Sequence, residues 1–160
     1  MLSEAQQKRV WDGMLGEEIR ADYFAELAGI YLWRQRAATW TTLFLASSSV
    51  ATLLADRVPP EWRLEFAIAT TAVSLYSIVM QNQKLSVDAA DLHASWNRLS
   101  TEYERVWENV YAEDAMSTLT ALTERSIELS KSGTLFPNLP KKMLKWQKYV
   151  EEQRLSHTAS

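Results

Sequence analysis

The chain has 160 residues, enough for one domain with a useful core. Its 17 Lys and Arg against 20 Asp and Glu leave a formal charge of -3, without the basic excess that phosphate backbones select, so no direct nucleic-acid partner is expected. The absence of cysteine excludes disulfides, thiolate zinc sites and cysteine nucleophiles. The counts of 4 Gly and 4 Pro argue against a turn-rich β fold or a Gly-rich phosphate-binding fold, which leaves an all-α protein as the expectation.

Residues 1–36 read as a helix. Ser3 and Gln6 have the spacing of a capping box, while Gly13 and Gly16 weaken the first turns. From Glu17 the stretch EEIRADYFAELAGIYLWRQR has no breaker other than Gly29, and Tyr23, Leu27 and Ile30 share a face with Phe24 and Tyr31 beside it. The 11 charges of residues 1–36, with no apolar centre, argue against a secretory peptide in this segment.

Two charge-free runs follow. Ala37 to Ala55 gives 19 residues and Phe66 to Gln83 gives 18. At about 1.5 Å of rise per residue, each is roughly 27 to 29 Å long, close to the hydrocarbon thickness of a bilayer. Between them, residues 56–65 (DRVPPEWRLE) carry Pro59 and Pro60 and read as a polar turn. Trp40 and Trp62 lie near the ends of the runs, where indoles favour the headgroup boundary. The expectation is a two-transmembrane helical hairpin, spans 37–55 and 66–83, whose helices extend into a cytosolic helical bundle. The alternative is a pair of buried helices in a soluble bundle, supported by the 7 Ser or Thr of the first run and the 7 Ser, Thr, Asn or Gln of the second. Arg34, Arg36 and Lys84 flank the spans on one side and favour both termini in the cytoplasm.

Polar residues inside the runs fall into stripes. Thr70, Ser74, Ser77 and Gln81 share one face of the second run, and Thr41, Ser48 and Thr52 share one of the first. Two uses fit: close helix packing through small hydroxyl residues, or a hydrated path lined by several assembled hairpins.

After the second run, Leu85, Ala89, Leu92, Trp96, Leu99, Tyr103, Val106 and Val110 recur in steps of four and three, a heptad seam within the helical region 84–132. The seam packs either within one bundle or between subunits. The helix before the first run should lie antiparallel to residues 84 to about 103, leaving residues 104 to about 130 to fold back near Ala112 to Ser117 or to meet a neighbouring subunit. Gly133 reads as a helix end and TLFPNLP as a loop. Residues 139–153 then form an amphipathic helix whose Lys141, Lys142, Lys145 and Lys148 either touch anionic headgroups or stay in water while Met143, Trp146, Tyr149 and Val150 pack on the bundle.

Nothing in the sequence points to catalysis. Asp88 and Asp91 have no ligating partner at helical spacing, His93 and His157 are the two histidines, and no nucleophile-elbow, Walker or dinucleotide motif is present. Neither a metal nor a cofactor is expected.

The pattern RADYFAELAGIYLWRQR, two Ser/Thr-rich runs, DLHASWNRLSTEYERVW and a basic helical tail resembles the SLATT family, two-transmembrane effectors associated with nucleotide synthases and their sensors in bacterial conflict systems. The resemblance covers almost the whole chain and rests on architecture and spaced aromatics. It implies a non-enzymatic inner-membrane protein that forms homo-oligomers and permeabilises the bilayer when a separate sensor or nucleotide-signalling protein triggers it. A passive scaffold that recruits a cytosolic enzyme through the heptad helix is the other expectation.

Overall fold

A computed structural model describes residues 2–55 and 60–158, with side chains described outside 48–61, 63, 66 and 155–158. The described residues form five helices and no strand: α1 (Glu4–Ala55), α2 (Pro60–Met80), α3 (Asn82–Glu108), α4 (Ala115–Gly133) and α5 (Pro140–Thr158). They divide into two compact units, Met1–Leu27 with Asp88–Ser160, and Ala28–Val87.

The first unit is a helical bundle. Its α1 segment starts with the capping box: Ser3 N–H donates to Gln6 Oε1 at 2.8 Å and Gln6 N–H to Ser3 Oγ at 3.4 Å. Gly13 and Gly16 do not interrupt the helix. The Gly13 position has a tertiary reason, because a Cβ there would lie 2.7 Å from Cε1 of Tyr103, whose ring occupies that space. Helices α1 and α3 run antiparallel in this unit, tied by Ser100 Oγ to the Met14 carbonyl at 3.1 Å and by His93 Nδ1 beside the Ala21 carbonyl at 2.9 Å. The pairing extends to Leu2 N–H, which donates to the Val110 carbonyl at 3.0 Å. The expected end of the pairing near residue 103 is therefore too early. The pairing reaches further because α1 continues unbroken through Gly13 and Gly16, with Gly13 leaving room for the Tyr103 ring of α3.

Residues 109–114 turn the chain, and α4 folds back to bury Ala115, Leu119 and Leu122. Of the two partners expected for residues 104 to 130, the chain itself supplies the one observed. Past Gly133 the TLFPNLP loop is pinned: Phe136 is buried edge-on to Phe24 with ring centroids 5.5 Å apart, and the Tyr23 hydroxyl donates to the Pro137 carbonyl. Helix α5 begins at Pro140, whose missing N–H costs nothing in a first turn, and extends past the expected end at 153.

The second unit is a hairpin formed by α1 from Ala28 onward, α2 and the first turn of α3. Two expected boundaries change. The polar turn does not extend to 65, because Pro60 opens α2 and residues 60–65 are helical. The second run is not one helix to Gln83, because α2 ends at Met80 and Gln81 takes a left-handed backbone with φ 44°. Residues 56–59 lie outside the described residues.

Candidate functional site

The hairpin carries the chemistry that sets this chain apart. Between Ala37 and Ala55, and again between Phe66 and Gln83, no charge is available to meet solvent. Large apolar side chains nonetheless point outward: Trp40 is 72% exposed, Phe44 69%, Ile78 71% and Val79 74%, and Leu43, Ile68 and Leu75 are exposed as well. Exposed apolar area on both helices of one hairpin marks an interaction surface.

Several polar groups in the same segments are turned inward or tied off. Thr70, Ser74 and Ser77 are half-buried together with Val73, on the less exposed side of α2. Gln81 does not continue this stripe, since it is exposed and off the helix. Thr41 is exposed on α1, whereas Ala38 is buried and Thr42 and Leu45 are half-buried, so the inward face of α1 lies one residue round from the expected one. The side chains of Ser48 and Thr52 lie outside the described residues. The Thr39, Thr42 and Thr71 hydroxyls donate to the Gln35, Ala38 and Ala67 carbonyls at 3.0, 2.9 and 2.8 Å. A hydroxyl satisfied by its own helix carries little of the desolvation cost that its residue type suggests. Among the described residues, no helix is long and apolar enough to cross a membrane.

At the base of the hairpin, Ser86 Oγ donates to the Ala28 carbonyl at 3.0 Å. Next to it, Asn82 is completely buried and neither Oδ1 nor Nδ2 meets a partner among the described residues. A left-handed Gln81 followed by an unsatisfied buried amide makes this the most strained point described in the hairpin.

In the bundle, the heptad seam is consumed internally. Ala89, Leu92, Trp96, Leu99, Tyr103 and Val106 are buried, with Val110 half-buried at the end; Leu85, also half-buried, belongs to the hairpin unit. The seam is thus packed within one bundle, the first of the two arrangements its spacing allowed. Glu17 is buried here, accepting from Arg20 Nη1 at 2.7 Å and from Ser126 Oγ at 2.7 Å, and the Arg20 guanidinium lies 4.9 Å from the centre of the Trp96 ring. Burial pushes the Tyr103 phenol upward. Burial, reinforced by Glu18, also raises Asp22, with His93 pulling the other way.

Helix α5 is held at two points. Near its start, Glu26 accepts from Lys142, from Lys145 Nζ at 3.2 Å and from the Trp146 indole at 2.7 Å. The Lys142 ammonium chiefly, with Lys145 and Trp146 adding donors against a partial desolvation penalty, holds this carboxyl at about 2 instead of 4.5. Near its end, Arg154 bridges Glu18 and Glu104, each at 3.0 Å. Of the four lysines considered for headgroups, Lys142 and Lys145 are thus engaged by Glu26, and Lys141 and Lys148 are exposed. Val150 is buried between these two anchor points. Among the described residues no group of three His, Asp or Glu is placed to hold a metal ion.

Sequence periodicity alone misses several of these residues. The α4 positions Ala115, Leu119, Leu122, Ser126 and Leu129 do carry a four-three spacing, but small and polar members disguise it. Glu17 and Glu26 are hidden by their charge. Comparison with protein-family models, with curated proteins and with solved structures finds no match.

Proposed function

We propose that this chain is a non-enzymatic effector of the bacterial inner membrane, a SLATT-like protein whose hairpin sits in lipid, assembles with other copies and permeabilises the bilayer in antiviral defence. The observation that supports this reading is the outward apolar surface of a hairpin without a single charge in either run, with Trp40 and Trp62 exposed near its ends. Lipid accepts such a surface, and it also accepts hydroxyls bonded to their own helix. Both termini lie in the cytoplasm on this reading, the bundle receiving the signal from a separate sensor or nucleotide-signalling protein. The heptad seam is closed within the chain, which supports assembly through the hairpin over recruitment through the seam, the surface of the passive-scaffold alternative.

Expression in bacteria followed by carbonate extraction and dye uptake tests the reading. The chain should stay with the membrane pellet, and clustering it should admit dye. Changing Thr70, Ser74 and Ser77 together to Leu should leave insertion intact and reduce uptake several-fold if the stripe contributes to a polar path. Unchanged uptake assigns the stripe to packing. A chain that is extracted by carbonate and remains monodisperse without detergent removes the membrane reading altogether.

A further inference from the structure

The apolar surface of the hairpin gives way at its base to a band of cations. Residues 28–36 and 81–87 hold Arg34, Arg36 and Lys84 and no acid, whereas residues 56–65, between the two runs, set two cations against three acids. All three base cations are exposed, and among the described residues none meets a carboxylate. The acids nearest to them in sequence, Glu26 and Asp88, belong to the bundle unit, where Glu26 is taken up by Lys142, Lys145 and Trp146. Arg34 instead lies over the Tyr31 ring, 5.9 Å from its centre, a contact that orients the guanidinium and leaves its charge intact.

The three charges share one level of the hairpin. The bond from Ser86 Oγ to the Ala28 carbonyl sets the start of α3 beside α1. At about 1.5 Å per residue, Lys84 lies roughly 3 Å, Arg34 roughly 9 Å and Arg36 roughly 12 Å along its helix from that bond, all toward the charge-free runs. A spread of roughly 9 Å is on the scale of one headgroup layer, and the long stems of these side chains let their charged ends reach into it. Trp33, next to Arg34 and 71% exposed, adds the amphipathic ring that this boundary favours. We propose that this band binds the headgroups of anionic phospholipids in preference to zwitterionic ones. The inference rests on the membrane reading above and adds to it the class of lipid. The Arg34 and Arg36 forks suit phosphate oxygens, Lys84 adds a point charge, and with no acid among them an uncompensated negative headgroup is the complement of the band.

The test reconstitutes the full chain in mixed vesicles of phosphatidylcholine and phosphatidylglycerol and brominates one lipid or the other, at equal mole fraction, as a quencher of Trp33 fluorescence. The difference between the unaltered chain and Trp33→Phe isolates that signal from those of the other tryptophans. Brominated phosphatidylglycerol should quench Trp33 at least 3-fold more efficiently than brominated phosphatidylcholine. Changing Arg34, Arg36 and Lys84 together to Gln should remove the preference at unchanged helicity while both lipids still quench. In the unaltered chain, about 1 M salt, which screens charges beyond about 3 Å, should shrink the preference as well. Equal quenching by the two lipids, a preference that survives the triple change, or one that salt leaves unmoved would each overturn the lipid assignment and leave the membrane reading standing. No quenching by either lipid, with the chain left behind when the vesicles are floated, would remove the membrane reading and the lipid assignment together.

Discussion

The bundle and the hairpin differ in where they leave their large apolar side chains. In the bundle, Leu92, Trp96, Leu99 and Tyr103 are inside and the charges of α3 and α5 face outward or pair, as with Arg98 and Glu102 at 3.3 Å. In the hairpin, Phe44, Ile78 and Val79 are outside while Thr70, Ser74 and Ser77 take the less exposed side. Both are all-helical and use the same backbone bonding. The difference teaches that helix propensity does not decide which face of a helix carries its apolar residues, and on the proposed reading it reflects two kinds of surroundings, water for the bundle and lipid for the hairpin.

The contrast has measurable consequences. Leu99→Ala removes a buried side chain from the bundle and should cost about 2–5 kcal/mol, whereas Phe44→Ala in the hairpin should change bundle stability by less than about 0.5 kcal/mol. Denaturant unfolding followed by helicity distinguishes them, and equal losses would mean that Phe44 is a core residue.

Gly13→Ala ranks next. Alanine improves helix propensity by about 1 kcal/mol, but its Cβ would collide with the Tyr103 ring, and overpacking of this kind costs about 1–3 kcal/mol. A net loss is expected at Gly13, and a net gain at Gly16→Ala, where a Cβ meets nothing within 4 Å. Thermal unfolding of the two variants side by side reads the sign directly.

Glu26→Gln should loosen the start of α5 by about 1–2 kcal/mol, seen as faster proteolysis after Lys141. The carboxyl is held at about 2 in the folded chain and titrates at 4.5 without its partners, so its contribution is complete above 4.5 and drains away as the pH falls from there toward 2. Wild-type α5 should therefore become more protease-sensitive over that acid window when probed with an acid-active protease, and Glu26→Gln should flatten the change. A modest gain is expected at Gln81, where glycine adopts the left-handed backbone freely and Gln81→Gly should stabilise the hairpin by about 1 kcal/mol, measured by thermal unfolding.

Much of the bundle was legible in advance because single residues carried unambiguous signals. The four-three steps of Leu85 to Val110 identified the buried face of α3, Ser3 and Gln6 marked the start of α1, and Gly133 and Pro140 bracketed the last loop. Other features depend on contacts between distant residues. Gly13 is read as a weakness until Tyr103 is seen against it, and Pro60 as a breaker until it opens a helix. The end of α2 at Met80 has no proline or glycine to announce it. Neither Glu17 nor Glu26 reveals from its own neighbours that Ser126 and Trp146 will reach it across the bundle.

Asn82 carries a cost that its immediate neighbourhood does not repay. Selection for heat tolerance alone should favour leucine there quickly, since an apolar side chain of similar bulk removes two unmet polar atoms at once. A library of variants ranked by survival after heating would show what asparagine is worth: if Asn82→Leu withstands heat better but loses the dye uptake expected on the proposed reading, natural selection has been preserving a deliberately soft joint.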